Sequence, residues 1–295
     1  GLPYLDSVSF RIMTDPNTAL MNLKAGQVDI IPRVANDAAD QIKTGPDTKL
    51  IESPMNLVQL MVLNNNKAPL DNPKVRQALN YAINKDEIIQ GAAWGYGKKL
   101  GSNMSPVMNA YYADLVNRYP YDPAKAKQLL SEAGYPNGFE IGLTLPSAYD
   151  LHVKAGEIIA DQLAKVGVKA KIQKVDWAVW LEDVYKGRQY DMTVTGLTGK
   201  LDPHSVLGRY ESKFASNFFN FKNEEYDQLI ARGIVTTDVN QRKEIYRRAQ
   251  EILAEQAAAV YIMDPTQLVA LRKNVYGWQT YPVYVADVSR VYKAQ

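Results

Sequence analysis

One apolar stretch of the sequence leads through a polar loop into a helical stretch. Residues 57–63 are apolar except for Gln59, which is typical of a strand buried on both faces. After the polar residues 64–71, Asn72 and Pro73 stand where an N-cap and a first helical residue are expected. The apolar residues that follow recur at helical spacing: Val75, Ala78, Leu79, Ala82 and Ile83.

Two more helix starts can be read from capping residues. Asn84 is followed three residues later by Glu87, a spacing similar to that of a capping box, so a second helix is predicted directly after Asn84. Asp122 and Pro123 predict the start of another helix, and Gly134 predicts its end.

Strand and helix patterns alternate through most of the chain. Residues 139–145 and 168–172 alternate between apolar and other side chains, and residues 151–166 between them carry apolar groups at helical spacing. A further helix is predicted over 177–185 and a further strand over 190–195. This order predicts an α/β fold.

The first part of the chain has the pattern of a strand, a helix and a second strand. Residues 8–12 alternate, Asp15 and Pro16 predict a helix start, Gly26 predicts its end, and residues 28–31 are extended in pattern. We therefore expect one crossover unit before residue 32.

The pattern divides the chain into two lobes. Residues 64–258 are predicted to form one continuous α/β lobe, and residues 1–63 and 259–295 are predicted to be parts of another, incomplete first lobe. Two crossings, near Leu63 and Ala259, are expected of a hinged binding protein that closes on its ligand.

Composition excludes several functional classes. The chain has 295 residues, 34 basic and 32 acidic, and a formal charge of +2, so no single-sign charge indicates nucleic acid or an anionic membrane. No segment approaches the roughly 20 apolar residues of a membrane span. With no cysteine, disulfides, thiolate metal sites and cysteine nucleophiles are excluded. We expect a monomer that binds no nucleic acid.

Several motifs resemble the family 5 extracellular solute-binding proteins, the dipeptide, oligopeptide and nickel receptors of ABC importers. The segment 73–85, Pro-Lys-Val-Arg-Gln-Ala-Leu-Asn-Tyr-Ala-Ile-Asn-Lys, is similar to the signature of that family, and residues 121–136 are similar to its second helix motif. Other matching motifs follow in the family's order: Gly167-Val168, Asp176-Trp177, Tyr190-Asp191-Met192, Asn223 to Asp227 and the late helix 242–255.

The resemblance implies a periplasmic-binding-protein-like fold of type II, in the large cluster, with one complete and one truncated lobe. It implies a substrate-binding fragment of an ABC importer that captures a peptide or peptide-like solute between its lobes and needs no cofactor. The implied partners are the ligand and the permease subunits in the membrane. The implied location is the periplasm or the extracellular face of the cell envelope, with the signal or lipoprotein segment and a large N-terminal block absent from this chain.

The resemblance also implies where the ligand is bound. Members of the family line the site with a Trp at a helix start, here Trp177, and with a loop after the next strand, usually Gly-Trp-x-x-Asp. The matching loop here reads Gly196, Leu197, Thr198, Gly199 and Lys200. Either Lys200 faces an anionic or hydrogen-bonding group of the ligand, or a shifted loop brings Asp202 there to pair with a ligand amine.

Other functions have weaker support. A peptide or ester hydrolase would have to use Asp202, His204 and Ser205, but neighbours on one loop seldom hold triad geometry, so no catalytic residue is predicted. His152 and His204 lack the spacing of a metal site, so no metal ligand is predicted. A receptor for a nickel chelate stays open, with His204 as its contact, and so does a sensory or scaffold protein that reuses the fold.

Overall fold

The computed structural model describes residues 1–294, which form two compact units. Within the described residues, the smaller unit comprises Gly1–Met55 and 266–294, and the larger unit comprises Asn56–Pro265.

Ten α-helices and eleven strands are assigned within the described residues. In chain order they are α1 (Pro16–Lys24), β1 (Ile30–Ile31), α2 (Ala39–Lys43), β2 (Thr48–Ser53), β3 (Leu57–Leu63), α3 (Pro73–Ala82), α4 (Lys85–Ala93), β4 (Gly97–Lys99), α5 (Pro123–Glu132), β5 (Phe139–Pro146), α6 (Asp150–Ala164), β6 (Val168–Val175), α7 (Trp177–Val179), β7 (Met192–Thr198), α8 (Pro203–Leu207), α9 (Glu224–Val235), α10 (Val239–Glu255), β8 (Ala259–Pro265), β9 (Gln267–Arg272), β10 (Val275–Tyr276) and β11 (Tyr292–Lys293).

In the smaller unit, β9 lies between β1 and β2 in an antiparallel sheet, and β10 pairs with β11. The helix predicted after Asp15 is confirmed as α1, because the Asp15 carboxylate accepts a hydrogen bond from the amide of Thr18. Leu20 and Leu23 of this helix pack with Ile42 in a small core.

The strand predicted over residues 8–12 was wrong. This segment has no assigned strand, and Val8, Phe10 and Ile12 are all exposed, Ile12 to 95%. Alternation of side chains indicates which way they would face, but a strand also needs a neighbour for its backbone hydrogen bonds. No strand within residues 1–294 pairs with this segment.

The larger unit is built on a six-stranded sheet in the order β4–β8–β3–β7–β5–β6. Strand β5 is parallel to β6 and to β7, and the other neighbours are antiparallel. The strand predicted at residues 57–63 is confirmed as β3, and all seven of its residues are buried. Val58, Leu60 and Val62 belong to one core, whereas Met61 and Leu63 belong to the other, so β3 separates two layers of packed side chains.

The predicted lobe boundaries at residues 63/64 and 258/259 need correction. Both β3 and β8 were assigned to the first lobe, but they pair with each other inside the large sheet, and the units divide instead at 55/56 and 265/266. The sheet to which a strand belongs depends on its partners in space and not on its place in the sequence. The interpretation of the units as receptor lobes stays a prediction.

The capping residues read from the sequence are confirmed. Asn72 accepts a hydrogen bond from the backbone amide two residues on, Asn84 from the amides two and three residues on, and Asp122 from the amide three residues on. The side-chain amide of Asn84 also donates to the Glu87 carboxylate at 3.0 Å. Helices α3, α4 and α5 therefore begin where short polar side chains satisfy the free amides of the first turn.

The asparagine-rich loop after β3 is held by bonds to backbone carbonyls. The side-chain amide of Asn65 donates to the carbonyls of Leu63, Phe219 and Ala258, at 2.8 to 3.1 Å. Asn64 donates in the same way to the carbonyl of Tyr190 at 2.9 Å. These amides join distant parts of the larger unit at the point where β3 ends.

The helix predicted over residues 177–185 is only partly regular. Helix α7 lasts for three residues, and the chain continues from Trp180 to Lys186 as a π-helical segment. Of the helices within residues 1–294, none is both long enough and apolar enough to cross a bilayer.

Candidate functional site

One edge of the large sheet collects the ends of five strands. The parallel strands β5, β6 and β7 finish there at Pro146, Val175 and Thr198. Because β3 is antiparallel to β7 and β8 is antiparallel to β3, the start of β3 and the end of β8 lie at the same edge. The carboxyl ends of parallel strands are where open α/β sheets bind ligands. We call this region the carboxyl edge.

Trp177 lies at the carboxyl edge, directly after β6. Its ring stacks on Trp180 with centroids 4.9 Å apart and an interplanar angle of 8°, and it meets the edge of Tyr149 at 5.0 Å. Trp180 is buried, and its indole N–H donates to the hydroxyl of Thr193 at 2.9 Å. The Trp177 ring is therefore half-buried and held by its stacking on Trp180, and Tyr149 lies beside it.

Tyr149 and His152 were not predicted from the sequence as residues of the ligand-binding site. Tyr149 follows β5 and is 42% exposed, and its ring centroid lies 5.7 Å from that of His152. Only the sheet topology brings the loop after β5 beside the loop after β6. The available signal was an aromatic residue and a histidine directly after a predicted strand.

His152 is a buried and uncharged group. The side-chain amide of Gln59 lies 3.1 Å from His152 Nδ1 and donates to the carbonyl of Leu151 at 3.2 Å. With that amide as donor, Nδ1 accepts and the imidazole proton is on Nε2. Burial lowers the pKa of His152 to about 4, so the ring is neutral at neutral pH.

Gly196 makes room for this histidine. It pairs with Gln59 in the β3–β7 ladder, and a Cβ on Gly196 would lie 3.0 Å from both the His152 ring and the side chain of Leu57. Leu197 lies on the opposite face of the sheet. It pairs with Val58 and packs against the core that contains Val58, Leu60 and Val62. Gly196 and Leu197 were both predicted to contact the ligand. Gly196 lies on the face of the sheet that carries His152, whereas Leu197 packs into the core on the other face.

The end of the predicted loop is fixed to Asn56. The Gly199 amide donates to the Asn56 carbonyl at 2.8 Å, and the Asn56 side chain donates to the Lys200 carbonyl at 3.1 Å. A Cβ on Gly199 would clash with the amide group of the Asn56 side chain, so a larger residue here would displace that side chain. Thr198 and Lys200 are exposed next to this turn.

The two charges proposed for the loop have different environments. Both carboxylate oxygens of Asp202 already have partners. One accepts a hydrogen bond from the backbone amide of His204 at 2.9 Å, and the other pairs with Arg242 at 2.8 Å. Partial burial opposes ionisation of Asp202, but the hydrogen bond and charge of Arg242 outweigh it and lower the pKa of Asp202. Lys200 forms no ion pair with any residue in the described range 1–294. Lys200 is thus an unpaired positive charge beside the carboxyl edge, where the exposed Asp150 and Asp176 also form no ion pair within residues 1–294.

The residues of the hydrolase alternative do not form a relay. The Ser205 hydroxyl donates to the Asp202 backbone carbonyl at 2.7 Å, and His204 Nδ1 is buried without a hydrogen-bond partner in residues 1–294. Across the same residues there is no group of three side chains that could hold a metal ion.

Asp264 is a buried acid at the carboxyl edge. Its carboxyl accepts from the Leu57 amide at 3.4 Å and bonds to the hydroxyl of Ser105. Burial raises the pKa of Asp264 to about 7, although the Ser105 hydrogen bond opposes this shift. The Asp264 carboxyl therefore joins the start of β3 to the end of β8, which are the first and the last strand of the larger unit in sequence.

Comparison with known proteins identifies the family. Residues 1–218 match the family described as bacterial extracellular solute-binding proteins, family 5 Middle. Heme-binding protein A of Haemophilus influenzae is 35% identical over 96% of this chain and 53% of its own length. Glutathione-binding protein GsiB of Escherichia coli K12 is 30% identical over 96% of this chain and 57% of its own length.

A solved structure agrees with this match. The periplasmic binding protein DppA of Helicobacter pylori, in complex with the peptide STSA, superposes with a TM-score of 0.86 at 27% identity, covering 97% of this chain and 56% of that one. The chain spans about half the length of the curated relatives it matches. The resemblance read from the motifs is confirmed, and this chain belongs to the family 5 bacterial extracellular solute-binding proteins.

Proposed function

We propose that this chain is the substrate-binding portion of an ABC-importer receptor that captures a peptide or peptide-like solute at the carboxyl edge. The observation that carries the proposal is the aromatic wall of Trp177 and Tyr149 at the ends of parallel strands, in a family of extracellular solute-binding proteins. Its partners would be the membrane permease subunits, and it would act in the periplasm or at the outer face of the cell. Capture by lobe closure stays a prediction.

The ligand is expected to carry an anionic group near Lys200. Asp202 is already paired with Arg242, so it has no free charge for a ligand amine, whereas the Lys200 ammonium has no acidic partner in residues 1–294. The molecules in the names of two relatives, glutathione and heme, both carry carboxylates. A peptide-like acid, with its anionic group on Lys200, is therefore the ligand class that we propose.

Native mass spectrometry of the purified receptor tests the proposal. A co-purified compound that is released on unfolding and that rebinds saturably, without change of mass, is expected. Conversion of that compound to a product would favour the hydrolase alternative, and a His204→Ala variant that abolishes the conversion would assign it to this loop.

Replacing Lys200 with aspartate should reverse the charge preference of the edge. We expect Lys200→Asp to weaken binding of the co-purified acid by about tenfold or more, because a like charge replaces an attractive one. Isothermal titration calorimetry of both proteins measures the change.

Lys165→Asp is the matched control. It makes the same change of charge at an exposed lysine that directly follows the last residue of α6. The first residue of α6 lies next to the carboxyl edge, and at 1.5 Å per residue the two ends of the helix are about 20 Å apart. Equal affinities of all three proteins would remove Lys200 from the site.

A further inference from the structure

A cavity of the larger unit lies between α3, α5 and the segment that leads into α5. Its volume is about 360 Å³, and it is lined by Gln77 and Tyr81 of α3, Arg118 and Tyr119 of the segment, and Lys125 and Leu129 of α5. None of these residues belongs to the strand ends or loops of the carboxyl edge.

The walls of this cavity are held in place by backbone bonds. The Tyr119 hydroxyl donates to the carbonyl of Ala254 at 2.8 Å, and the amide of Asp122 donates to the carbonyl of Tyr81 at 2.9 Å. The rings of Tyr81 and Tyr119 meet edge to face at 5.1 Å and 85°, and Leu129 is buried beside them. The apolar and aromatic wall of this open surface cavity is therefore fixed, whereas Arg118 at its rim is exposed.

The charge of the lining is entirely positive. Arg118 has no carboxylate partner within residues 1–294, and the Lys125 ammonium contacts only the neutral amide oxygen of Gln128, at 3.2 Å. Burial raises the pKa of Tyr119 to about 12, so its phenol adds no negative charge. Neither cation forms an ion pair within residues 1–294, although the Glu132 carboxylate at the end of α5 lies close enough to interact electrostatically with Lys125.

We propose that this cavity binds a small organic anion, with its carboxylate or phosphate on Arg118 and Lys125 and its apolar part against Leu129 and the tyrosine rings. A guanidinium offers paired donors that match the oxygens of either anion. The volume lies within the range of about 300–1,000 Å³ usual for small-molecule sites. The inference does not depend on the proposed transport function, since it uses other residues.

Calorimetry and methyl NMR with three probes test this site at physiological ionic strength. Benzoate and phenyl phosphate carry the two anions on the same ring, and inorganic phosphate carries the anion alone. We expect saturable binding of at least one aromatic probe with a shift of the Leu129 methyl signals, and binding of inorganic phosphate at least about tenfold weaker than that of phenyl phosphate. The tighter of the two aromatic probes identifies the preferred anion.

Charge-removing variants assign the binding to the cavity. Arg118→Gln combined with Lys125→Gln should weaken the bound aromatic probe by about tenfold or more. Lys127→Gln, which removes an exposed cation from the same helix outside the cavity, should leave binding unchanged. The proposal is overturned if neither aromatic probe binds, if the double variant binds equally well, or if inorganic phosphate binds as tightly as phenyl phosphate.

Discussion

Replacing Arg76 with methionine is expected to lower the free energy of unfolding of the larger unit by about 3 kcal/mol. Arg76 is 4% exposed, and its guanidinium donates to the carbonyls of Leu70, Asp71, Gln256 and Ala257, at 2.8 to 3.2 Å. Methionine fills a similar volume but leaves these buried carbonyls without donors. Urea unfolding followed by tryptophan fluorescence measures the loss.

Two further variants separate the hydrogen bonds from the charge. Arg76→Lys keeps the positive charge near the end of α10 but cannot reach all four carbonyls, so an intermediate loss is expected. Lys74→Met removes a cation from the same helix that is half-exposed and paired with Glu132, and it should cost at most about 1 kcal/mol. If Arg76→Met unfolds at the same urea concentration as Lys74→Met, the carbonyl network is not a major source of stability.

The stability of the protein relative to its Asp264→Asn variant is expected to fall as the pH rises from about 4 to 7 and beyond. The folded-state pKa of Asp264 is raised to about 7, so the folded protein keeps a proton that the unfolded chain releases near its ordinary value of 3.8. The stabilisation is complete below 3.8 and is lost as the pH rises through 7. Asparagine resembles the neutral acid and does not titrate, and the expected change in the difference is about 2–4 kcal/mol.

Urea unfolding of both proteins at pH 4.5 and pH 8 measures this change. His152 acts in the opposite direction: its folded-state pKa of about 4 lies below the unfolded value of 6.5, so the protein loses stability as the pH falls through that window. Because His152 is present in both proteins, its contribution cancels in the difference. A difference that does not vary with pH would show that Asp264 is ionised in the folded state at both pH values.

Local signals in the sequence predicted the elements well where a single side chain decides the outcome. Asn72, Asn84 and Asp122 begin helices because their side chains bond to amides two or three residues away, within the reach of sequence reasoning. The apolar run of β3 is likewise a local property. The strand expected at residues 8–12 failed for the complementary reason, since its pairing partner is not a local feature.

The candidate site was predicted only in part because its members come from separate strand ends. Trp177 and the Gly196–Lys200 loop were found through the family motifs, but Tyr149 and His152 come close to them only through the order of strands in the sheet. The choice between Lys200 and Asp202 depended on Arg242, which lies far along the chain on α10. Ligand contact by these residues stays a prediction.

The central position of β3 has a consequence for folding kinetics. This strand is synthesised before both of its neighbours, residues 192–198 and 259–265, so its seven buried residues stay without their sheet partners until most of the larger unit has been made. Contacts this distant in sequence close slowly, and an apolar strand waiting for them is prone to aggregate. Chains stalled or truncated before residue 259 should therefore expose β3 and be the species that most need a chaperone.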